Sequence, residues 1–550
     1  MKKDITMRKH NFVNGAFITT FGIIISKLLG ILYVIPFHAV IGEKGGALYG
    51  YAYTIYAIFM SIATAGIPLA ISRVVSEYQT LGYYSTKKRV FALGKKVSFL
   101  LGFISFLLIL LFAPLLAKAV LGDVVGGNTI EDVTFVLRVI GTAILIVPVL
   151  SIYRGYFEGH RFMSPPSISQ VIEQIVRVTI IIFGSYFSLK VFHLDLKSTV
   201  GIAIFGATVG AIASYLYLVE KKWKNKGRFN EKIRSVNEPI VSDKVIFKKI
   251  MTYAVPFIMI DIFKSLYNCV DMVTVVKGLV NHANYSALDA ETVYSMLSTW
   301  SNKFNMIILA ISSGVIVSLI PNLTESIVKR EHDDIQKKIT QAYSILLYLT
   351  IPMTFGISFL AKPIWSLFYG DSIYGPSVLS YYIFVGFFIS LFTATVTILQ
   401  TLKDYKAVLI SLILGIIFKI LLNNNLIIAF YQMGVPPYYG VITASIIGYL
   451  VSFAYCVIIL HNRYKIQFEI IVKNVIDILC CTFLMVFVLL ILKFIIPIPA
   501  ASRMMNLVLI LLYAIVGMVA YFGYSHFSKL TNKIFGKEII YTVKKILLKK

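Results

Sequence analysis

The chain has 550 residues, of which 58% are hydrophobic and only 14% charged, and its mean hydropathy is +0.81. That composition excludes a soluble globular protein, and many apolar runs reach the ~20 residues that cross a bilayer. The runs are continuous rather than alternating, which excludes a transmembrane barrel.

The net charge of +26 would point to nucleic acid in a soluble chain, but here its placement matters more. Of the 52 lysines and arginines, 38 fall in alternate loops and the two tails, and only 14 in the predicted spans and the opposite set of loops together. This is the positive-inside asymmetry; it predicts both termini in the cytoplasm and leaves no nucleic-acid partner to explain. The predicted fold class is therefore an all-α polytopic membrane protein with about fourteen transmembrane helices.

In chain order, residues 1–11 are short and basic, and the apolar run after them is too long for the core of a cleaved signal. It reads as the first span, residues 12–41, whose only formal charge is Lys27. At 1.5 Å per residue, Lys27 lies about 20 Å along the axis from either flanking charge, beyond the reach of snorkelling. An ammonium at that depth costs at least ~2.5–3.5 kcal/mol and faces a wet cavity or a partner. It either serves a ligand or holds helices together through a carboxylate.

Further spans are predicted near residues 49–72, 97–121, 133–153, 168–189 and 198–219. Arg73 follows Gly66-Ile67-Pro68 at the end of the second, and either recruits a phosphate from the inner leaflet or anchors the helix. The fifth span carries Gln170, Glu173, Gln174 and Arg177. Glu173 and Arg177 form an i,i+4 pair with the acid placed N-terminally, and read as a structural polar pair.

Residues 221–249 form a basic linker, the one long polar break, so domain boundaries are expected there. The N-lobe is 1–220, the C-lobe 250–465, an extra helix hairpin 466–528 and a basic tail 529–550. Spans of the second lobe are predicted near 250–276, 296–323, 341–361, 377–402, 407–430 and 438–461, and those of the hairpin near 474–497 and 504–527. Short sequences recur between the lobes. Ile67-Pro68-Leu69 returns as Ile320-Pro321-Asn322, each closing a span, and Leu121-Gly122-Asp123 returns as Tyr369-Gly370-Asp371. Near-constant offset and six spans per copy predict a parallel repeat, with a substrate site between the lobes.

Span seven holds Asp261, Lys264, Asn268 and Asp271 on one narrow helical stripe. The stripe is either self-neutralised packing or a cavity wall that offers a cation to an anionic ligand and a carboxylate to a coupled ion. Span eight opens with Ser301-Asn302-Lys303, close enough to the span end for Lys303 to snorkel. Lys419, deep in span eleven, has no acidic neighbour in sequence, and its role stays open. The four cysteines lie in apolar runs without metal spacing and read as small core residues. Neither HExxH nor a Walker A motif is present, so no hydrolytic chemistry is indicated.

Several of these residues carry a family resemblance. The 6 + 6 + 2 arrangement of spans is similar to that of MurJ-type lipid II flippases, in the superfamily that also holds multidrug/toxin exporters and O-antigen flippases. Ser26-Lys27-Leu28-Leu29-Gly30 resembles that family's first-helix Ser-Arg-x-x-Gly, and Asn302-Lys303 with Ser318–Leu323 resembles its eighth-helix pattern. Residues 66–72 and Arg154-Gly155-Tyr156-Phe157-Glu158-Gly159, with Gln170, Glu173 and Arg177, look closest to its spore-cortex and Gram-positive-type branch. Both family arginines are lysine here, which keeps the charge and loses the bidentate fork. A further Arg-Asp pair of the family would fall at Tyr33 and Val34, which carry no charge. Either Lys264 and Asp261 compensate, or the ligand differs.

The resemblance implies a non-enzymatic flippase of the bacterial cytoplasmic membrane. It would carry an undecaprenyl-pyrophosphate-linked precursor, lipid II or another lipid-linked glycan, to the outer leaflet by alternating access. Lys27, Lys264, Lys303, Asn268 and Asn302 would contact the substrate, with Arg73 at the inner mouth, and Asp261 and Asp271 are the candidates for ion coupling. No cofactor or metal is expected beyond a coupled cation or the membrane potential. Expected partners are the glycan lipid, membrane lipids and other cell-wall synthesis proteins. Two other readings remain: a cation-coupled drug exporter of the same superfamily, and an integral glycan transferase.

Overall fold

The computed structural model describes residues 29–64, 66–229, 239, 241–498 and 502–535. Every regular element among them is helical, as a chain of apolar segments requires, because hydrocarbon offers backbone amides no partner outside their own segment. Eleven helical stretches of the described residues are long and apolar enough to cross a membrane. The chain forms two compact units, residues 1–280 with 285–298, and residues 281–284 with 299–550.

In the first unit, α1 (Val34–Thr64) is interrupted at Gly42, whose φ of 62° is outside the helical range. Glycine accepts that conformation without a Cβ penalty, and the break falls where the sequence separates spans one and two. A second break at Gly66 (φ 71°) precedes α2 (Ile67–Thr80), with Pro68 in its first turn. Ile67-Pro68-Leu69 thus opens a helix rather than closing span two. The left-handed glycine ends the preceding ladder, and a proline lacking N–H fits a first turn, whose amides have no intrahelical acceptor.

The remaining helices of this unit are α3 (Tyr84–Leu121), α4 (Ile130–Gly159), α5 (Ser164–Thr179), α6 (Leu196–Lys224), α7 (Asp243–Ala283) and α8 (Ala287–Ser295). Thr129 and Asp132 form a capping box that starts α4, and Asp195 caps α6. Two π-helical segments prolong α5 to Val191.

Span seven is α7, and a series of contacts along its length ties it to the first unit. Asp243 accepts from Arg89, and Lys249 Nζ lies 2.6 Å from Glu77 Oε1. Tyr253 lies under the Arg73 guanidinium, Ser265 Oγ is 3.1 Å from Ser61 Oγ, and Lys277 Nζ donates to the Ala119 carbonyl. The compact units therefore part after span seven, whereas the sequence repeat is drawn from the linker before it.

The second unit contains α9 (Asn302–Lys329), α10 (His332–Phe359), α11 (Ala361–Tyr369), α12 (Gly375–Thr401), α13 (Tyr405–Gln432) and α14 (Tyr438–Tyr464). The final hairpin follows as α15 (Glu469–Ile495) and α16 (Arg503–Phe527), with a short α17 (Leu530–Phe535). The hairpin docks on α10 through polar contacts. Asn474 Nδ2 donates to Ser344 Oγ at 2.9 Å, and Tyr521 Oη donates to the Tyr348 carbonyl at 2.8 Å.

The repeated motifs share geometry at one site and differ at the other. Gly122 (φ 62°) and Gly370 (φ 85°) each end a helix, α3 and α11, and each is followed by an aspartate. The Ile-Pro sites diverge: α9 runs through residue 321 to Lys329, because Leu319 stands where the other copy has the helix-breaking Gly66.

Close packing in the first unit depends on Gly155 and Gly159 of α4. A Cβ on Gly155 would lie 2.3 Å from the Pro68 carbonyl oxygen, and one on Gly159 would lie 2.7 Å from that of Ser72. This small-xxx-small face lets two backbones touch. Gly155→Val is expected to destabilise the protein by about 1–3 kcal/mol through overpacking, read as a lowered thermal midpoint in detergent. Gly356→Ala, inside α10 where an added Cβ meets nothing within 4 Å, is expected to hold or raise the midpoint, since alanine is the better helix former.

Candidate functional site

Lys27 lies outside the described residues. Gly30, three residues on in sequence, sits in the first unit beside Gln174, whose Nε2 would be 3.6 Å from a Cβ at that glycine. Gln174 belongs to the polar face of α5, where Glu173 and Arg177 pair as the sequence predicts, with Arg177 Nη2 donating to Glu173 Oε1 at 2.8 Å.

The pair has a third member. Arg154, near the end of α4, donates to Glu173 Oε2 at 2.7 Å, to Ser169 Oγ at 2.9 Å and to Ser214 Oγ at 3.0 Å. One carboxylate thus serves two guanidiniums, and Arg154 also interacts with Glu158 one turn on along α4. Arg177 also keeps a buried Nε without an acceptor among the described residues. The sequence signal for Arg154 was its place in the Arg-Gly-x-x-Glu-Gly motif, but helical spacing within one span could not reveal a partner on another helix.

On α7, Asp261 and Lys264 approach to 4.0 Å, and both remain part-exposed at 50% and 38% of the side chain. A contact that long leaves the ammonium able to turn its three donors to another acceptor. Asn268 is exposed and Asp271 half-buried on the same helix. In the second unit, Asn302 and Lys303 begin α9, both half-buried. One turn into that helix, Asn305 is fully buried, and its side-chain amide packs where a Cβ on Gly386 would meet it at 2.4 Å. Lys419 and Asn423 are buried one turn apart on α13.

Arg73 stands on the exposed face of α2, and its guanidinium lies 4.3 Å from the centre of the Tyr253 ring. It lines a cleft of about 960 Å³ with Ser76, Glu77, Glu158, Arg161 and Tyr253. This cleft is at the end of the unit that carries Lys87, Arg89 and Lys249.

A separate acidic centre, not visible from the sequence, lies in the segment between spans seven and eight. Glu291 on α8 is 1% exposed. Its Oε2 accepts from both the backbone N–H and Nδ2 of Asn128 at 2.9 Å, and Tyr51 Oη donates to its Oε1 at 3.4 Å. The Tyr51 ring stacks on Tyr294. Nearby, Glu43 accepts from Ser295 and contacts His38 Nε2 at 3.1 Å. Burial pushes the Glu291 carboxyl up to about 7, and the Asn128 bonds offset only part of that.

The architecture is that of a polytopic α-helical membrane protein. Two solved structures share it: one titled Lipid II flippase MurJ, inward closed conformation, and an inward-facing multidrug resistance MATE family transporter of the MOP superfamily. The first has a TM-score of 0.63 at 15% identity, covering 94% of this chain and 99% of that one. The second has a TM-score of 0.61 at 13% identity, covering 80% and 94%. Residues 12–325 match the family model described as polysaccharide biosynthesis protein. Over 468 residues the chain is 34% identical to the lipid II flippase MurJ of Bacillus subtilis (strain 168), covering 84% of this chain and 85% of that protein. The chain belongs to the polysaccharide biosynthesis protein family, in the MurJ-type branch of the MOP superfamily.

Glu291 makes stability depend on pH. Its folded-state pKa is raised above the ordinary 4.5, so the folded protein binds this proton more tightly than the unfolded chain. Stability therefore falls as pH rises from about 4.5 to about 7 and levels off above that. Glu291→Gln, permanently neutral, is expected to have a higher thermal midpoint than the parent at pH 8 and an equal one near pH 5. Parallel midpoints across the range would contradict the assignment.

Proposed function

We propose that the chain is a flippase that carries lipid II, an undecaprenyl-diphosphate-linked cell-wall precursor, from the inner to the outer leaflet by alternating access. The observation that carries this reading is the 34% identity, over most of both chains, to a protein named as a lipid II flippase. In this reading the termini and the basic loops face the cytoplasm, as the positive-inside asymmetry favours.

The substrate's diphosphate is the group that a charge in a membrane span would serve. Lys27, Lys264 and Lys303 are the proposed contacts, with Asn268 and Asn302 as neutral donors and acceptors beside them. Lysine contributes a point charge with rotatable donors, where arginine would impose a planar fork. The loose Asp261–Lys264 approach at 4.0 Å supports a lysine that exchanges an internal carboxylate for a ligand phosphate. Asp261, released by that exchange, and Asp271 are the proposed sites for a coupled cation, with the membrane potential as the alternative drive.

The lipid tail needs an apolar path that remains open to the bilayer. A groove of about 470 Å³ in the second unit supports one, lined by Phe355, Phe384, Phe388, Phe468, Val475 and Leu479 along α10, α12 and α15. The final hairpin supplies one wall, which gives the two helices outside the repeat a use.

The test is translocation of fluorescent lipid II in proteoliposomes. Lys27→Ala/Lys303→Ala is expected to lower the rate at least tenfold, while the variant stays folded by thermal midpoint. Unchanged translocation by a folded double variant would remove both lysines from the site.

A further inference from the structure

The cleft around Arg73 has a construction that a membrane anchor does not need. On α2, Leu69, Ser72, Arg73, Ser76, Glu77 and Thr80 face it in successive turns. Across from them, Glu158 and Arg161 come from the end of α4, held there because Gly155 and Gly159 let the backbones of α4 and α2 touch. Arg161 adopts a left-handed conformation (φ 56°) just past the helix end, so the chain turns over the cleft there. Tyr253 of α7 closes one side.

The charges are arranged for a ligand. Glu77 is neutralised by Lys249 at 2.6 Å. Arg154, one turn back on α4, acts on the Glu158 carboxylate, and among the described residues no ion pair within 4.0 Å engages Arg73 or Arg161. Stacking on Tyr253 holds the face of the Arg73 guanidinium and leaves its N–H edge available to acceptors. Two guanidiniums suit a diphosphate, which arginine recognises through paired donors. The hydroxyls of Ser72, Ser76 and Thr80 and the Glu158 carboxylate suit the hydroxyl and N-acetyl groups of a sugar. A simple phosphate would leave most of the roughly 960 Å³ unfilled, a volume at the upper end for small-molecule clefts.

We infer that this cleft is a docking site for the sugar–diphosphate head of a polyprenyl-linked glycan, occupied before the head reaches the lysines within the spans. This rests on the flippase reading above and adds a second, earlier site to it. Arg73 and Arg161 hold the diphosphate, and Glu158 with the hydroxyl column of α2 reads the first sugar. A head captured here is desolvated in two stages, so translocation starts from a bound population at the basic face.

The experiment uses the full chain in nanodiscs and measures binding of farnesyl-diphosphate-linked N-acetylated disaccharide. Farnesyl diphosphate and phosphatidylglycerol serve as competitors. Arg73→Gln and Arg161→Gln are each expected to weaken binding about tenfold, with Arg73→Lys recovering part of the loss. Glu158→Gln is expected to weaken binding of the disaccharide compound while leaving that of farnesyl diphosphate unchanged. In the Lys27→Ala/Lys303→Ala background, which lacks contacts proposed within the spans, Arg73→Gln and Arg161→Gln are each expected to weaken the remaining binding about tenfold further. Parent-like affinity in both arginine variants, together with loss in the double lysine variant, would overturn the docking site and leave the flippase reading standing. Equal competition by phosphatidylglycerol would also overturn it, assigning the cleft to bulk anionic lipid. Absence of binding by the parent protein would overturn both readings.

Discussion

A charge inside hydrocarbon must be paired, hydrated or bound to a ligand, and the structure is organised around how each of its charges meets that demand. Glu173 shows the paired solution, with one carboxylate shared by Arg154 and Arg177 on α4 and α5. Arg154 also donates to Ser169 and Ser214, so the pairing ties α4, α5 and α6 together. Asp261 and Lys264 show a looser solution, in contact only at 4.0 Å and both part-exposed. The tight cluster suits structure and the loose pair suits exchange with a ligand.

Much of this fold was legible because apolar run length is a direct physical requirement of a bilayer. The helical class follows from it, and the glycines at 42, 122 and 370 mark real helix ends. Legibility failed where the determinant is a contact between helices distant in sequence. Arg154 and Glu173 are nineteen residues apart, and Glu291 and Tyr51 are 240 apart, so no periodicity connects them. The Ile-Pro motif was legible as a repeat but not as geometry, since Gly66 rather than Pro68 decides whether the helix breaks.

The candidate site divides in the same way. The sequence singled out Arg73 and the stripe on α7, since a charge next to or inside an apolar run is visible without a structure. It could not show that Gly155 and Gly159 bring Glu158 and Arg161 across from Arg73. Nor could it show that span seven packs with the first unit through Asp243, Lys249, Tyr253, Ser265 and Lys277. That packing keeps Lys264 in the same unit as Arg73, so the cleft and the α7 stripe share one scaffold.

Lipid II is the molecule we propose as the cargo. The most direct measurement is conditional depletion of the protein in its own cell, followed by leaflet-resolved quantification of lipid-linked precursors. Lipid II is expected to accumulate on the inner leaflet within the time that cell-wall synthesis stalls. An unchanged lipid II distribution, with another lipid-linked glycan accumulating instead, would contradict it.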